Sequence, residues 1–142
     1  MASATKLESS LTGRSQEYSS AELEWIRKFV AEYKRGRPLL SKDYYPLTPF
    51  ATDKAAWCVM EFYSPAAREG VILAYRRAES PFASGTFRLQ GLDERLTYAF
   101  CDADAGEAHV FSGKELLTGG VRIEMPCARS AKVLFFKAKD ER

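Results

Sequence analysis

Acidic, histidine and cysteine side chains are the groups that could perform catalysis, and the sequence gives few of them an obvious partner. His109 is the single histidine, so neither a multi-histidine metal site nor a histidine-activated nucleophile is indicated. The 19 acidic residues are spread along the chain, whereas acid–base catalysis needs two groups placed around one bond. We therefore expect no complete catalytic site and no cofactor, with His109 on the face of a strand.

Two glycine-containing segments resemble ion-binding loops only in part. Residues 102–107 (DADAGE) have the alternating aspartates of a calcium loop, but glycine is fifth instead of sixth and the twelfth position is Gly113. The segment 112–114 (SGK) lacks both the earlier glycine and the following Ser or Thr of a phosphate loop. We interpret the first segment as a hairpin turn and expect no metal.

Four aromatic residues are candidates for binding. Trp57, Tyr44, Tyr45 and Tyr75 could offer flat ring faces on which sugar rings stack, provided that the rings are exposed. Large aromatic side chains also fill protein cores, and a domain of this length needs many of them for packing. The sequence leaves both interpretations open and favours packing.

Length and composition indicate one soluble domain. The chain has 142 residues, 46% of them hydrophobic, which is enough for one core. Its net charge of +2 arises from interspersed acidic and basic residues, so no basic face for nucleic acid is expected. Three cysteines without close spacing predict reduced thiols. The N-terminus lacks an apolar signal segment and no apolar run approaches about 20 residues, so we expect a cytoplasmic protein without a membrane segment.

A helix is predicted at residues 20–35. Ser19 and Glu22 have the spacing of a capping box, in which each side chain pairs with the backbone N–H of the other residue. Gly36 and then Pro38 end the helical pattern. The apolar residues share one helical face, formed by Leu23, Ile26, Val30 and Tyr33.

Short segments of alternating hydrophobicity follow from about residue 56. In residues 86–92, for example, Phe87 and Leu89 alternate with polar side chains, as in a strand with one buried face. The last segment is apolar on both faces and predicts a central strand. Turn residues separate these segments, which lie at 56–62, 70–77, 86–92, 96–102, 108–112, 121–125 and 131–137.

These patterns predict a mainly β fold, an antiparallel Greek-key β-sandwich of about seven or eight strands preceded by one N-terminal α-helix. Residues 1–18 are polar and rich in Ser and Thr, and we expect a flexible tail there. The helix and a proline-rich, irregular connection occupy residues 19–50, and the sandwich occupies residues 51–142.

Several segments resemble, in the same order, the C-terminal part of family-36 glycoside hydrolases, the α-galactosidases. Residues 26–38 (IRKFVAEYKRGRP) resemble the last helix of the catalytic barrel in that family. Residues 43–49 (DYYPLTP) resemble the connection from the barrel to the C-terminal domain. The segments similar to the C-terminal β-sandwich of the family are 70–77, 91–93, 112–116 and 129–136.

This resemblance implies a domain without its own catalytic machinery. In that family two aspartates on barrel strands cleave the glycosidic bond, and no aspartate of this chain corresponds to either. The C-terminal domain of the family is regarded as a stabilising or assembly element beside the barrel. The resemblance therefore predicts an accessory module whose partner is a catalytic barrel. The alternative is a stand-alone module that binds α-galactosides.

The apolar face of the predicted helix needs a partner if the barrel is absent. Such a face is expected to pack on the sheet or on a second copy of the chain, because a large apolar surface is unfavourable in water. The interface candidates are Leu23, Ile26, Val30 and Tyr33. They predict either self-association through the helix or docking of the helix on the sheet.

Overall fold

The computed structural model of the protein describes residues 19–49, 52, 54–102 and 108–139, so the predicted tail lies outside the described residues. The predicted helix is confirmed as α1 (Ser20–Gly36). Its capping box is formed: Ser19 Oγ accepts the Glu22 N–H at 3.2 Å, and the Ser19 N–H donates to Glu22 Oε1 at 3.0 Å. A 3₁₀ helix, Arg37–Ser41, follows, with a proline in its first turn.

The chain divides into two compact units, the first ending at Arg35 and the second beginning at Gly36. Within the described residues, no helix is both long enough and apolar enough to cross a lipid bilayer. The second unit contains every strand that the described residues form. These are β1 (Asp43–Pro46), β2 (Trp57–Ser64), β3 (Glu69–Arg76), β4 (Ser84–Phe87), β5 (Thr97–Asp102), β6 (Ala108–Ser112), β7 (Val121–Glu124) and β8 (Ser130–Ala138).

The strands form two antiparallel sheets. Six of them pair in the order β1-β2-β3-β8-β5-β6, and β4 pairs with β7 in a second, two-stranded sheet. Strand β8 lies between β3 and β5, which confirms the prediction that the last strand is central. The mainly β sandwich with one N-terminal helix is confirmed as well.

Strand β1 corrects the prediction of an irregular connection. It pairs with β2 and places Tyr45 opposite Glu61 at the edge of the larger sheet. Pro46 is tolerated as its last residue because an edge strand can lack one N–H group. Beyond it, the Leu47 N–H donates to the Val59 carbonyl at 2.9 Å, and Thr48 Oγ1 accepts the Val59 N–H at 3.1 Å. The edge of β2 is therefore hydrogen-bonded past the end of β1.

The predicted strand at 86–92 is wrong beyond Phe87, where β4 ends. The Leu89 N–H donates instead to the carbonyl of Leu116, in a short helix, α2 (Gly113–Thr118). Gly91 has a positive φ of 78°, and the ring of Tyr45 lies where a Cβ atom would project from it. Any other residue would be strained at this position, so the chain must turn here instead of continuing as a strand.

The main core lies between the two sheets, and aromatic rings dominate its centre. The Phe136 ring stacks on Phe100 at 5.0 Å and on Tyr63 at 5.8 Å between centroids, and it meets Tyr98 edge-on at 6.0 Å. The hydroxyl groups of Tyr63 and Tyr98 are 3.1 Å apart, so these buried polar atoms are paired. A second, smaller cluster lies on the outer side of the larger sheet and is formed by Leu39, Val71 and Phe135.

Candidate functional site

The sugar-stacking candidate Trp57 lies in the core. Its side chain is 9% exposed, and its ring centroid is 5.5 Å from that of Phe87. The indole Nε1–H donates to the Phe82 carbonyl at 3.1 Å, which satisfies its one polar group. Both the ring and its hydrogen bond therefore hold the sandwich together.

The three tyrosine candidates do not form one flat surface. Tyr44 and Tyr75 are 53% and 41% exposed, but Tyr44 is opposite Phe62 on β2 whereas Tyr75 is opposite Cys58, four residues away along the same strand. Tyr45 points to the other face of the sheet, since neighbouring side chains of a strand alternate. Sugar stacking on these residues stays a prediction, without a shared platform to support it.

The interface candidates on α1 are mostly exposed. Leu23 and Val30 are each 40% exposed, Tyr33 is 53% exposed and Ile26 is half-buried. Two further aromatic residues extend this face: Trp25 and Phe29 are 66% and 58% exposed, and their rings stack at 5.7 Å. At 3.6 residues per turn the six side chains cover an arc of about 160°. Sequence reasoning had not assigned the two aromatic residues to this interface.

A second apolar surface covers the outer side of the larger sheet, where a sandwich normally presents polar side chains. Phe62, Leu73 and Val133 pack against the outer cluster but remain only partly buried. The exposed rings of Tyr44 and Tyr75 flank them on strands β1 and β3. We refer to these five residues as the outer surface. Strands β2, β3 and β8 are thus apolar on both faces.

Glu61 is a buried acid that sequence reasoning missed. It is 0% exposed, and its Oε1 accepts the Gln90 N–H at 2.8 Å, whereas Oε2 has no hydrogen-bond partner within the described residues. Burial raises the pKa of this carboxyl group to about 7, although the hydrogen bond from Gln90 acts in the opposite direction. The sequence does contain a signal for it: an acidic residue stands at a position of an apolar strand where the alternation predicts a buried side chain. The carboxyl group is enclosed by the core and has no access to solvent.

A cleft of about 450 Å³ opens beside β7, at the free edge of the two-stranded sheet. Its floor is apolar, and its rim carries two ion pairs. Lys132 Nζ lies 3.2 Å from Asp102 Oδ2, and Arg122 Nε lies 3.0 Å from Glu124 Oε2. His109 lines the cleft from the edge strand β6, in agreement with its predicted place on a strand face.

Metal binding finds no support in the described part of the chain, where no three His, Cys, Asp or Glu side chains converge on a point that could hold an ion. Strands β5 and β6 pair as a hairpin, as expected for the interpretation of the calcium-like segment as a turn. Residues 103–107 of that segment lie outside the described residues.

Comparison with known proteins identifies the sandwich. The family of glycosyl hydrolase family 36 C-terminal domains matches residues 57–136. Alpha-galactosidase 1 of Pediococcus pentosaceus is 31% identical over 105 residues, which are 72% of this chain and 13% of that protein. The chain therefore spans only a small part of this curated relative.

Solved structures show the same fold. A family-36 α-galactosidase of Geobacillus stearothermophilus, in complex with raffinose, superposes with a TM-score of 0.68 at 23% identity. The complex of an enzyme of the same family and organism with stachyose gives a TM-score of 0.69 at 24% identity. In both cases the similarity covers 87% of this chain and 17% of the other.

Proposed function

We propose that this chain, which belongs to the family of glycosyl hydrolase family 36 C-terminal domains, is a non-catalytic accessory module that packs beside the catalytic barrel of an α-galactosidase-like enzyme. Its role there is structural, because it covers apolar surface on the barrel and is covered in return. The hydrolytic chemistry belongs to the barrel.

The outer surface is the observation that carries this proposal. Apolar side chains on the outside of a sheet do not stabilise a free sandwich. They do stabilise a sheet that packs against another domain, because the contact removes them from water. Leu73 lies in the middle of this surface, on β3, with Val133 opposite it on β8. The surface is continuous with the outer cluster, against which Phe62, Leu73 and Val133 pack.

The apolar face of α1 offers a second place of contact. Most of its aromatic and aliphatic side chains between Leu23 and Tyr33 are exposed, and burying them would contribute roughly 25 cal/mol for each Å² removed from water. A barrel would cover this face in an intact enzyme. A second copy of the chain would cover it where no barrel is present, which is the self-association that the sequence predicts.

A charge on the outer surface tests the proposal. Leu73→Glu is expected to weaken binding to a family-36 barrel by about tenfold or more, because the carboxylate loses its hydration in the interface. Phe82→Glu is the matched control, since Phe82 is 68% exposed in the connection between β3 and β4 and is not part of the larger sheet. Binding is measured by calorimetric titration of the Pediococcus enzyme truncated before its matching C-terminal region.

The C-terminal domain of the Pediococcus enzyme itself serves as the positive control in this titration. If that domain binds the truncated enzyme and this chain does not, the docking proposal is wrong. It is wrong as well if Leu73→Glu and Phe82→Glu bind equally well. Circular dichroism of both variants establishes that each remains folded.

A further inference from the structure

We propose that the cleft beside β7 binds a neutral, polyhydroxylated ring the size of a pyranose sugar. Among the described residues, this cleft of about 450 Å³ is lined by β7 of the smaller sheet and by β5, β6 and β8 of the larger sheet. This volume lies within the range of small-molecule sites, roughly 300–1,000 Å³.

The floor of the cleft suits the non-polar face of a ring. It is apolar and largely rigid, because most of its residues also belong to the main core. Phe111 is the half-buried member, and it meets Phe100 edge-on at 5.5 Å. The C–H groups of a pyranose ring can rest on the Phe111 ring, since the other floor residues are at most 8% exposed and leave little surface for contact. The floor residues are Phe100, Phe111, Val121, Ile123 and Leu134.

The rim selects a neutral ligand because its charges are balanced. Among the described lining residues, each lysine or arginine is paired with an acidic residue: Lys132 with Asp102, and Arg122 with Glu124. A charged ligand that is attracted to one member of an ion pair would be repelled by the other member. A hydroxyl group both donates and accepts, so it can use the ammonium group and the carboxylate of one pair together.

Lys132 is held in place before any ligand arrives. Its Nζ donates to the Glu124 carbonyl at 2.9 Å as well as pairing with Asp102, and its side chain is only 26% exposed. The Asp102 side chain is 15% exposed. A partly buried, pre-oriented ion pair loses little freedom on binding, so it favours recognition more than a fully exposed pair does.

This site is independent of the proposed docking. The cleft lies on the inner side of the larger sheet, whereas the outer surface lies on its other side. The two proposals can therefore be tested separately. Sugar binding can be absent while docking to the barrel is observed, and docking can be absent while sugar binding is observed.

Titration of the full chain with methyl α-galactopyranoside, followed by ¹H–¹⁵N NMR, tests the inference. We expect saturable shifts at the amides of Phe111, Arg122 and Ile123, with a dissociation constant on the order of 1 mM, as for other small ligands of modest contact area. Galacturonate, the same kind of ring carrying a carboxylate, should bind no more tightly. Shifts that are absent at about 20 mM sugar, or confined to other residues, would overturn the inference.

Asp102→Asn should weaken this binding about tenfold or more, since it removes the charge from a hydrogen-bonding acceptor. Asp93→Asn is the matched control, because Asp93 is also paired with a basic residue, Arg95, but lies outside the cleft. If Asp102→Asn perturbs the whole spectrum, Arg122→Gln replaces it, with at least threefold weaker binding expected from the loss of a charged donor. Equal affinity of the cleft variant and the control overturns the inference, as does tighter binding of galacturonate.

Discussion

The free energy of unfolding is expected to fall by about 3 kcal/mol as the pH rises from below 4.5 to above 7, because Glu61 must ionise inside the core. The pKa of this carboxyl group is about 7 in the folded protein and 4.5 when it is freely exposed. The folded state therefore holds its proton more tightly than the unfolded state does. Stability from this group is greatest below pH 4.5, declines between the two values and is lost above pH 7.

Urea denaturation of the chain and of Glu61→Gln between pH 5 and pH 8 measures this effect. The glutamine side chain keeps an oxygen that accepts the Gln90 N–H, and it cannot ionise. The stability of this variant should therefore lack the part of the pH dependence that Glu61 causes. Glu115→Gln is the control: Glu115 is exposed, and the capping hydrogen bonds of Ser112 lower its pKa. That variant should keep the fall seen in the parent chain. A parent chain equally stable at pH 5 and pH 8 would contradict the assignment.

Phe136→Ala is expected to cost about 4 kcal/mol of stability, because the cavity would lie among packed rings that cannot collapse into it. Phe136 is 1% exposed and touches Tyr63, Tyr98 and Phe100, which come from two other strands of the larger sheet. Loss of this ring removes its contacts with all three at once. Thermal and urea unfolding of the variant give the cost directly.

Phe82→Ala provides the comparison, since the Phe82 ring is 68% exposed and its hydrogen bonds, with Trp57 and Ser80, use backbone atoms alone. Its cost should stay within about 0.5 kcal/mol. Similar losses for the two variants would show that the aromatic cluster is not the centre of the core.

The fold followed from local patterns wherever one face of an element was buried. The capping box at Ser19 and Glu22 fixed the start of α1, and alternating hydrophobicity located most strands to within a few residues. Strand β1 was not predicted because its four residues are too few to show an alternating pattern. Residues 88–92 alternate in hydrophobicity as a strand does. The backbone nevertheless turns there, because Gly91 has a positive φ and the ring of Tyr45 lies where a Cβ atom would project. That contact joins distant parts of the chain and leaves no local signal.

The candidate surfaces were harder to foresee for the same reason. Exposure of Tyr44 and burial of Trp57 depend on which strands cover them, and both are aromatic residues in or beside apolar segments. The cleft is lined by residues of β5, β6, β7 and β8, which meet only in the folded chain, so no local motif indicates it. Glu61 was visible as an acid in an apolar strand, but its burial required the register of β2 with β1 and β3.

One measurement tests the central claim most directly: the residual rate of hydrolysis of a chromogenic α-galactoside after heating the truncated Pediococcus enzyme with or without this chain. An accessory module that covers apolar surface on a barrel should slow the thermal inactivation of that barrel severalfold, while the chain alone hydrolyses nothing. Hydrolysis by the chain alone would contradict the account. So would an inactivation rate that the chain leaves unchanged while the enzyme's own C-terminal domain lowers it.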